Sequence, residues 1–322
     1  MPRHDGGSYE DWLHPVAGDT SKTLWTDTLA FGELPQVFDP ASGFVQNAND
    51  TPWRSTWPQA ITRKQYPAYV APLDPMTLRA QQSVHLRLSE AKVSYDDFVA
   101  QKLCTRSLMA DRLLPELIPL AAASNDPKLH AAAELLSHWN HRFDADARGA
   151  LLFETWAGLF AGPKFAGESN YAAPWTETDP IETPRGLRDG AAALAMLSSA
   201  VDRTIALYGA VDRPFGAVSR FHLGDVDLPG NGGYGNLGIF RTITWGPMQG
   251  GERTPLHGET WVSLVEFGEP MRVRGLLSYG NATQPGSPHR ADQLRFLSAE
   301  KLRELWTTRA EVEQHLEARD TF

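Results

Sequence analysis

The chain has 322 residues, 42 % of them hydrophobic and 21 % charged, the make-up of a globular protein with one large domain or two ordinary ones. Lys plus Arg is 30 against 39 Asp plus Glu, a net charge of −9, which argues against a nucleic-acid surface; no run of like charge is long enough to be a tail. A single cysteine, Cys104, excludes an internal disulfide; with no partner histidine or electropositive setting in sequence, it reads as a small buried apolar group.

The N-terminal MPRHDGGSYEDW has no apolar core, so no signal peptide is expected in it. Residues 1–93 are rich in Pro, Gly, Asp and Trp and predict short strands and long ordered loops. Within them stands SGFVQNANDTPW, Ser42–Trp53: the apolar pair Phe44-Val45, read as a short strand, then Asn47 and Asn49, Asp50 and a proline. Asn and Asp bond their own backbone and tolerate left-handed geometry, so the run fits a turn. An Asn side chain can also donate a hydrogen bond without carrying a charge, so it equally fits a group that stabilises developing negative charge. The twelve residues leave both open.

Helices are predicted from 94 to 210. Ser94 with Asp96 and Asp97 marks a helix start, from which FVAQKLCTRSLMADRLL runs on. Residues 128–140, 146–160 and 189–208 fit further helices. The longest apolar stretch, 191–201, contains two serines and is read as too short to cross a bilayer, so no membrane partner is expected. Beyond Gly209 the texture turns β-rich, in GIFRTITW, ETWVSLVEF and RVRGLLSYG, each bounded by Gly or Pro. At the end Ser298 is read as opening a helical turn, and Thr308 with Glu311 as a capping box.

Several patterns carry little chemistry. His138 and His141 form H-x-x-H in a helix, where zinc sites want a spacing of four and a third ligand, so solvent-facing or half-buried histidines are expected and no metal. LPGNGGYGNLG, Leu228–Gly238, lacks the Lys-Ser/Thr of a phosphate loop and is followed by no helix; close backbone approach, or simply a loop, is expected. Ten scattered tryptophans read as packing. TPLHGETWVSLVEF places His257, Gly258 and Glu259 just ahead of a strand, where a carboxylate either orients a base or amine or is only an edge charge. No Gly-x-Ser-x-Gly and no paired cysteine is present, so the residues give an amide donor and an acid but no nucleophile.

The blocks GFVQNANDTPW, LRAQQSVHL, MADRLLPELIP, YGAVDRPFG, GYGNLGIFRTITW, RTPLHGETWVSLVEF and LLSYGNATQPGSPHRADQ, in that order, resemble the penicillin acylase family of N-terminal nucleophile hydrolases, most closely the cephalosporin (glutaryl-7-aminocephalosporanic acid) acylases. The resemblance runs over nearly the whole chain and matches the later part of the family's larger chain. It implies an α+β fold, a partial αββα sandwich with an all-helical excursion, in a single incomplete acylase domain: 1–93 bearing the oxyanion Asn, 94–210 helical, 211–322 β-rich with C-terminal helices. It implies hydrolysis of a linear amide, deacylating a β-lactam of the cephalosporin or penicillin type or an acyl-homoserine lactone. Asn49 would lie in the oxyanion hole, Arg79 would hold it, Glu259 would orient the nucleophile's amine, and His257 would support from behind. The nucleophile, an N-terminal Ser whose own α-amine is the base, matches no residue here; Ser8 sits in what resembles an interior loop. The expected partners are an acyl-amide substrate and the missing N-terminal segments or partner α chain. No cofactor is expected, and the intact enzyme would be periplasmic. The rival expectation is a non-catalytic remnant that binds an acyl ligand or partner chain.

Overall fold

The structure, a computed structural model, describes residues 1–4, 8–72, 75–89, 92–162 and 170–320. Up to residue 72 the described chain forms no α-helix and no strand. Three-residue 3-10 turns such as Pro52–Arg54 stand where short strands are predicted. The pair Phe44-Val45 is not a strand: Val45 is exposed, and the N–H of Gln46 donates to the Ser55 carbonyl at 2.7 Å. A strand needs a neighbour for its backbone groups, and in this proline-rich stretch loop partners take them instead. What orders it is side-chain packing. Trp53, Ile61 and Ala71 bury together, and Ala48, Met76, Ala80, Val84 and Ile181 form a second small cluster.

Helix α1, Leu78–Leu88, starts at Thr77, whose hydroxyl accepts from the Ala80 N–H. Helix α2, Tyr95–Lys102, opens on the Ser94–Asp97 capping box. The run predicted to continue through it breaks after Lys102, and α3, Leu108–Ala122, begins anew at Ser107. The Ser107 side chain both accepts from the Ala110 N–H and donates to the Leu237 carbonyl at 2.7 Å, and bridges at Arg106 and Ser107 tie the break to distant chain. Tertiary hydrogen bonds thus override a helix-compatible sequence. Helices α4, Pro127–His138, α5, Ala150–Ala161, and α6, Gly190–Tyr208, follow.

Helix α5 starts later than predicted because Gly149, at φ +97°, turns the chain into it. Its Leu151, Leu152, Phe153 and Trp156 are buried, and it packs on α6. By length and composition α6 could cross a membrane, a correction to the short stretch read from sequence, yet its Leu197, Ala200 and Thr204 are buried where it packs on α3, α4 and α5. The stretch expected to be all-helical also carries a hairpin between α5 and α6, β1 Tyr171–Ala173 with β2 Arg185–Leu187.

The β-rich remainder forms small antiparallel sheets. Strand β3, Arg220–Leu223, pairs β4, Val226–Pro229. Strand β5, Ile243–Trp245, pairs β6, Pro255–Gly258, with a register shift between Thr244 and Trp245. Strands β7, Trp261–Glu266, β8, Arg272–Leu277, and β9, Arg303–Glu304, make the third sheet. Their inward residues, including Trp245, Val262, Leu264 and Leu276, join the helices in one apolar core. The result is a mixed helix-and-sheet fold. Near the end, α7 is Leu294–Ser298, so Ser298 closes a helix rather than opening one; α8, Arg309–Gln314, carries the predicted capping box.

Candidate active site

The two asparagines have different surroundings. Asn47 makes the turn: its Oδ1 accepts from the Asn49 N–H at 2.8 Å and its Nδ2 donates to the Asp50 carbonyl at 3.3 Å. This side-chain turn puts Asn49 at φ +57°, a left-handed conformation that Asn tolerates better than most residues. Asn49 then lies exposed, its Oδ1 accepting from Arg79 Nη2 at 2.6 Å. With the oxygen engaged, the Nδ2 hydrogens remain to donate outward.

Arg79 sits in the first turn of α1, and the same Nη2 donates to the Ala48 carbonyl at 2.6 Å. Ala48 and the next helix residue, Ala80, are buried in one cluster, so packing fixes the loop and the helix relative to each other. Burial pulls the Arg79 guanidinium below its ordinary pKa, and the nearby Glu259 and Asp50 oppose that. An Arg in this setting stays charged. Behind it lies the glycine-rich loop. A Cβ on Gly235 would come within 3.1 Å of Arg79 Cδ, 3.2 Å of Thr242 Oγ1 and 3.3 Å of Arg79 Nε. The loop thus lets Arg79 lie flat against backbone, which is the close approach that LPGNGGYGNLG allows.

Glu259 links β6 to β7, and its carboxylate pairs with Lys102 Nζ at the end of α2. The hydroxyl of Ser278, following β8, donates to the Glu259 carbonyl and holds the backbone there. Asn49, Arg79 and Glu259 therefore share one neighbourhood. His257, opposite Thr244 on β6, is exposed and lines a cavity of about 240 Å³ together with Glu259, Arg241 and Tyr279. Lys102 and Gly235 were invisible as site residues: Lys102 reads as a helix-end lysine on solvent, and only the glycine density of its loop marks Gly235.

The other candidates resolve into structure. His138 Nδ1 donates to the Glu134 carbonyl at 2.8 Å, while His141 meets Asp111 Oδ1 at 2.5 Å, so the two histidines turn to different partners. Cys104 is buried. The Ser8 hydroxyl accepts from the Asp11 N–H at 3.4 Å and the Ser8 N–H donates to Asp11 Oδ2 at 2.6 Å, a local turn.

Fold and sequence together define an acylase-family chain. It belongs to the penicillin amidase family, whose model matches residues 1–314. It is 27 % identical over 285 residues to the acyl-homoserine lactone acylase PvdQ of Pseudomonas putida, covering 86 % of this chain and 36 % of that protein. It is 31 % identical over 212 residues to aculeacin-A acylase of Actinoplanes utahensis, covering 64 % of this chain and 24 % of that protein. Its fold is similar to the thermostable penicillin G acylase from Alcaligenes faecalis, with a TM-score of 0.50, 15 % identity, and coverage of 93 % of this chain and 60 % of that one. The chain thus spans well under half the length of the PvdQ and aculeacin-A acylases that it matches.

Proposed function

We propose that this chain supplies the oxyanion side of an amide-hydrolysing acylase of the αββα, N-terminal nucleophile type. In this reading the serine nucleophile and its α-amine come from polypeptide that matches the rest of the longer relatives. The serine oxygen attacks the amide carbonyl, the α-amine takes its proton, and negative charge builds on the carbonyl oxygen. Asn49 Nδ2 donates to that oxygen, Arg79 keeps Asn49 pointing there, and Glu259 orients the amine. The α-ammonium gives that proton to the amine nitrogen as the C–N bond breaks and the amine departs, and water then hydrolyses the acyl ester. No cofactor takes part. Relatives named for acyl-homoserine lactones and aculeacin A favour a linear acyl amide as substrate; a β-lactam nucleus rests on the family alone. A periplasmic site for the intact enzyme follows the same resemblance.

The observation that carries this reading is the Arg79 Nη2 contact, 2.6 Å to Asn49 Oδ1, which fixes an amide otherwise free to rotate. The test is steady-state kinetics of Asn49→Ala in the complete acylase. Loss of one oxyanion donor should lower kcat by about 10²–10³-fold with KM little changed. A rate within threefold of the parent would sink the assignment. No turnover in the parent of any acyl amide offered would favour a binding remnant.

A further inference from the structure

Glu259 does not face the site alone. Its carboxylate is ion-paired with Lys102 Nζ, the two side chains 28 % and 23 % exposed. Lys102 is also held over the Phe240 ring, 5.0 Å from its centroid. Among the described residues, Arg79 and Arg241 also feel the charge of Glu259, and both are bonded elsewhere. Arg79 donates to Asn49 and Ala48. The fully buried Arg241 donates to Asn231 Oδ1 at 2.8 Å and to the Leu297 carbonyl at 2.9 Å. His257 and Tyr279 line the adjoining cavity. Lys102 is therefore the cation that this carboxylate bonds.

The chemistry gives that pairing a purpose, provided the Glu259 reading above holds. An amine must be unprotonated to act as a base, and a free α-amine titrates at about 7.7–8.0, already close to the working range. A bare carboxylate beside it would favour the ammonium form and silence the base at neutral pH. We propose that Lys102 is a positioning residue that offsets the charge of Glu259, so that the carboxylate orients the nucleophile's α-amine by hydrogen bonding without holding it as the ammonium. The arrangement couples the end of α2 to the strand that carries Glu259, and it makes the pH response of the enzyme a property of the pair.

The experiment is the pH profile of kcat/KM for the complete acylase, as the parent and as Lys102→Met, Lys102→Arg, Glu259→Gln and the Lys102→Met/Glu259→Gln double variant. Lys102→Met should move the acidic limb up by about one pH unit, because Glu259 then acts on the amine uncompensated. Lys102→Arg should restore the parent profile. Glu259→Gln should move the limb down, because Lys102 is then the uncompensated charge, and the Lys102→Met/Glu259→Gln double variant should bring it back toward the parent. An unmoved limb in Glu259→Gln overturns the reading of Glu259 itself. A limb that moves in Glu259→Gln but stays put in Lys102→Met overturns the Lys102 proposal alone. A fall in Tm without a limb shift does the same, since the pair would then only pin α2. Should Lys102→Met fail to fold, Lys102→Gln, which keeps a donor and loses the charge, decides between the same outcomes.

Discussion

Arg79 and Asn49 are joined through a single nitrogen: Arg79 Nη2 donates to Asn49 Oδ1 and to the Ala48 carbonyl, 2.6 Å in each case. The guanidinium thereby holds a side chain and the backbone just before it. Lysine places a compact charge on a flexible stem and cannot reproduce that fixed geometry. Arg79→Lys in the complete acylase should lower kcat by about tenfold with KM within about twofold, because the amide is misaimed rather than lost. Kinetics with KM rising and kcat unchanged would show that Arg79 serves ground-state binding instead.

Gly235 should be nearly as sensitive without touching substrate. Alanine there adds a carbon within 3.1–3.3 Å of Arg79 and Thr242. The neighbours, Arg79 among them, must give by a few tenths of an ångström, a fraction of the displacement of about 1 Å that can cost about 10²-fold in rate. Gly235→Ala is expected to lower kcat by roughly tenfold while the unfolding midpoint changes little. Gly32→Ala, where the added carbon meets nothing within 4 Å, is the control and should leave both unchanged.

Stability should hinge on a buried ion pair. Arg253 and Glu154 are 4 % and 10 % exposed and make two bonds, Nη1–Oε1 at 2.5 Å and Nη2–Oε2 at 3.0 Å. Burial pulls the Arg253 pKa down, but Glu154, helped by Tyr208 and Tyr234, more than offsets this and the net is upward. Removing Glu154 leaves the buried Arg253 charge without a counter-ion, bonded only through Nε to the Ser219 hydroxyl, so Glu154→Ala should destabilise by about 3–5 kcal/mol. The Glu154→Leu/Arg253→Met double variant should recover most of that loss, because it removes both charges together. Urea unfolding midpoints measure both.

The C-terminal segment carries a pH-dependent tether. His289 bonds Asp292 Oδ2 at 3.0 Å and Glu317 Oε2 at 3.1 Å. Hydrogen bonds to Asp292 and Glu317, with the charge of Glu317, raise its pKa above the ordinary value. A raised folded-state pKa means the tether is fully present below the unfolded value of about 6.5 and is lost as pH rises through the folded value. Proteolytic nicking beyond α8 should therefore increase from pH 6 to pH 8. His289→Gln should flatten that dependence. The whole group is exposed, so salt should weaken it; nicking that ignores both pH and salt would mean the tail is held by its packing alone.

Much of this was legible in the residues. The Ser94–Asp97 and Thr308–Glu311 patterns predict helix starts because a cap is a local event, satisfied by side chains three residues away. The β-rich run ETWVSLVEF predicts a strand from its residue types, and Trp261–Glu266 is one, with burial that alternates as the pleat requires. Phe44-Val45 misled because a strand is defined by a neighbour that sequence does not reveal. The break after Lys102 misled because Ser107 caps one helix and bonds a carbonyl 130 residues away.

The family blocks in order, the left-handed tolerance of Asn49 and the absence of a paired nucleophile motif were fixed by the chain's covalent order alone. Which of two asparagines turns the chain and which faces outward was not. That depended on where α1 packs, since the cluster of Ala48, Ala80 and Ile181 sets the reach of Arg79. The pairing of Lys102 with Glu259, 157 residues apart, was likewise decided only when α2 and the β6–β7 strands were brought together. Local hydrogen bonds act over a few residues and can be read from spacing; the direction and charge balance of a site come from contacts between distant segments, which only burial of the shared core creates.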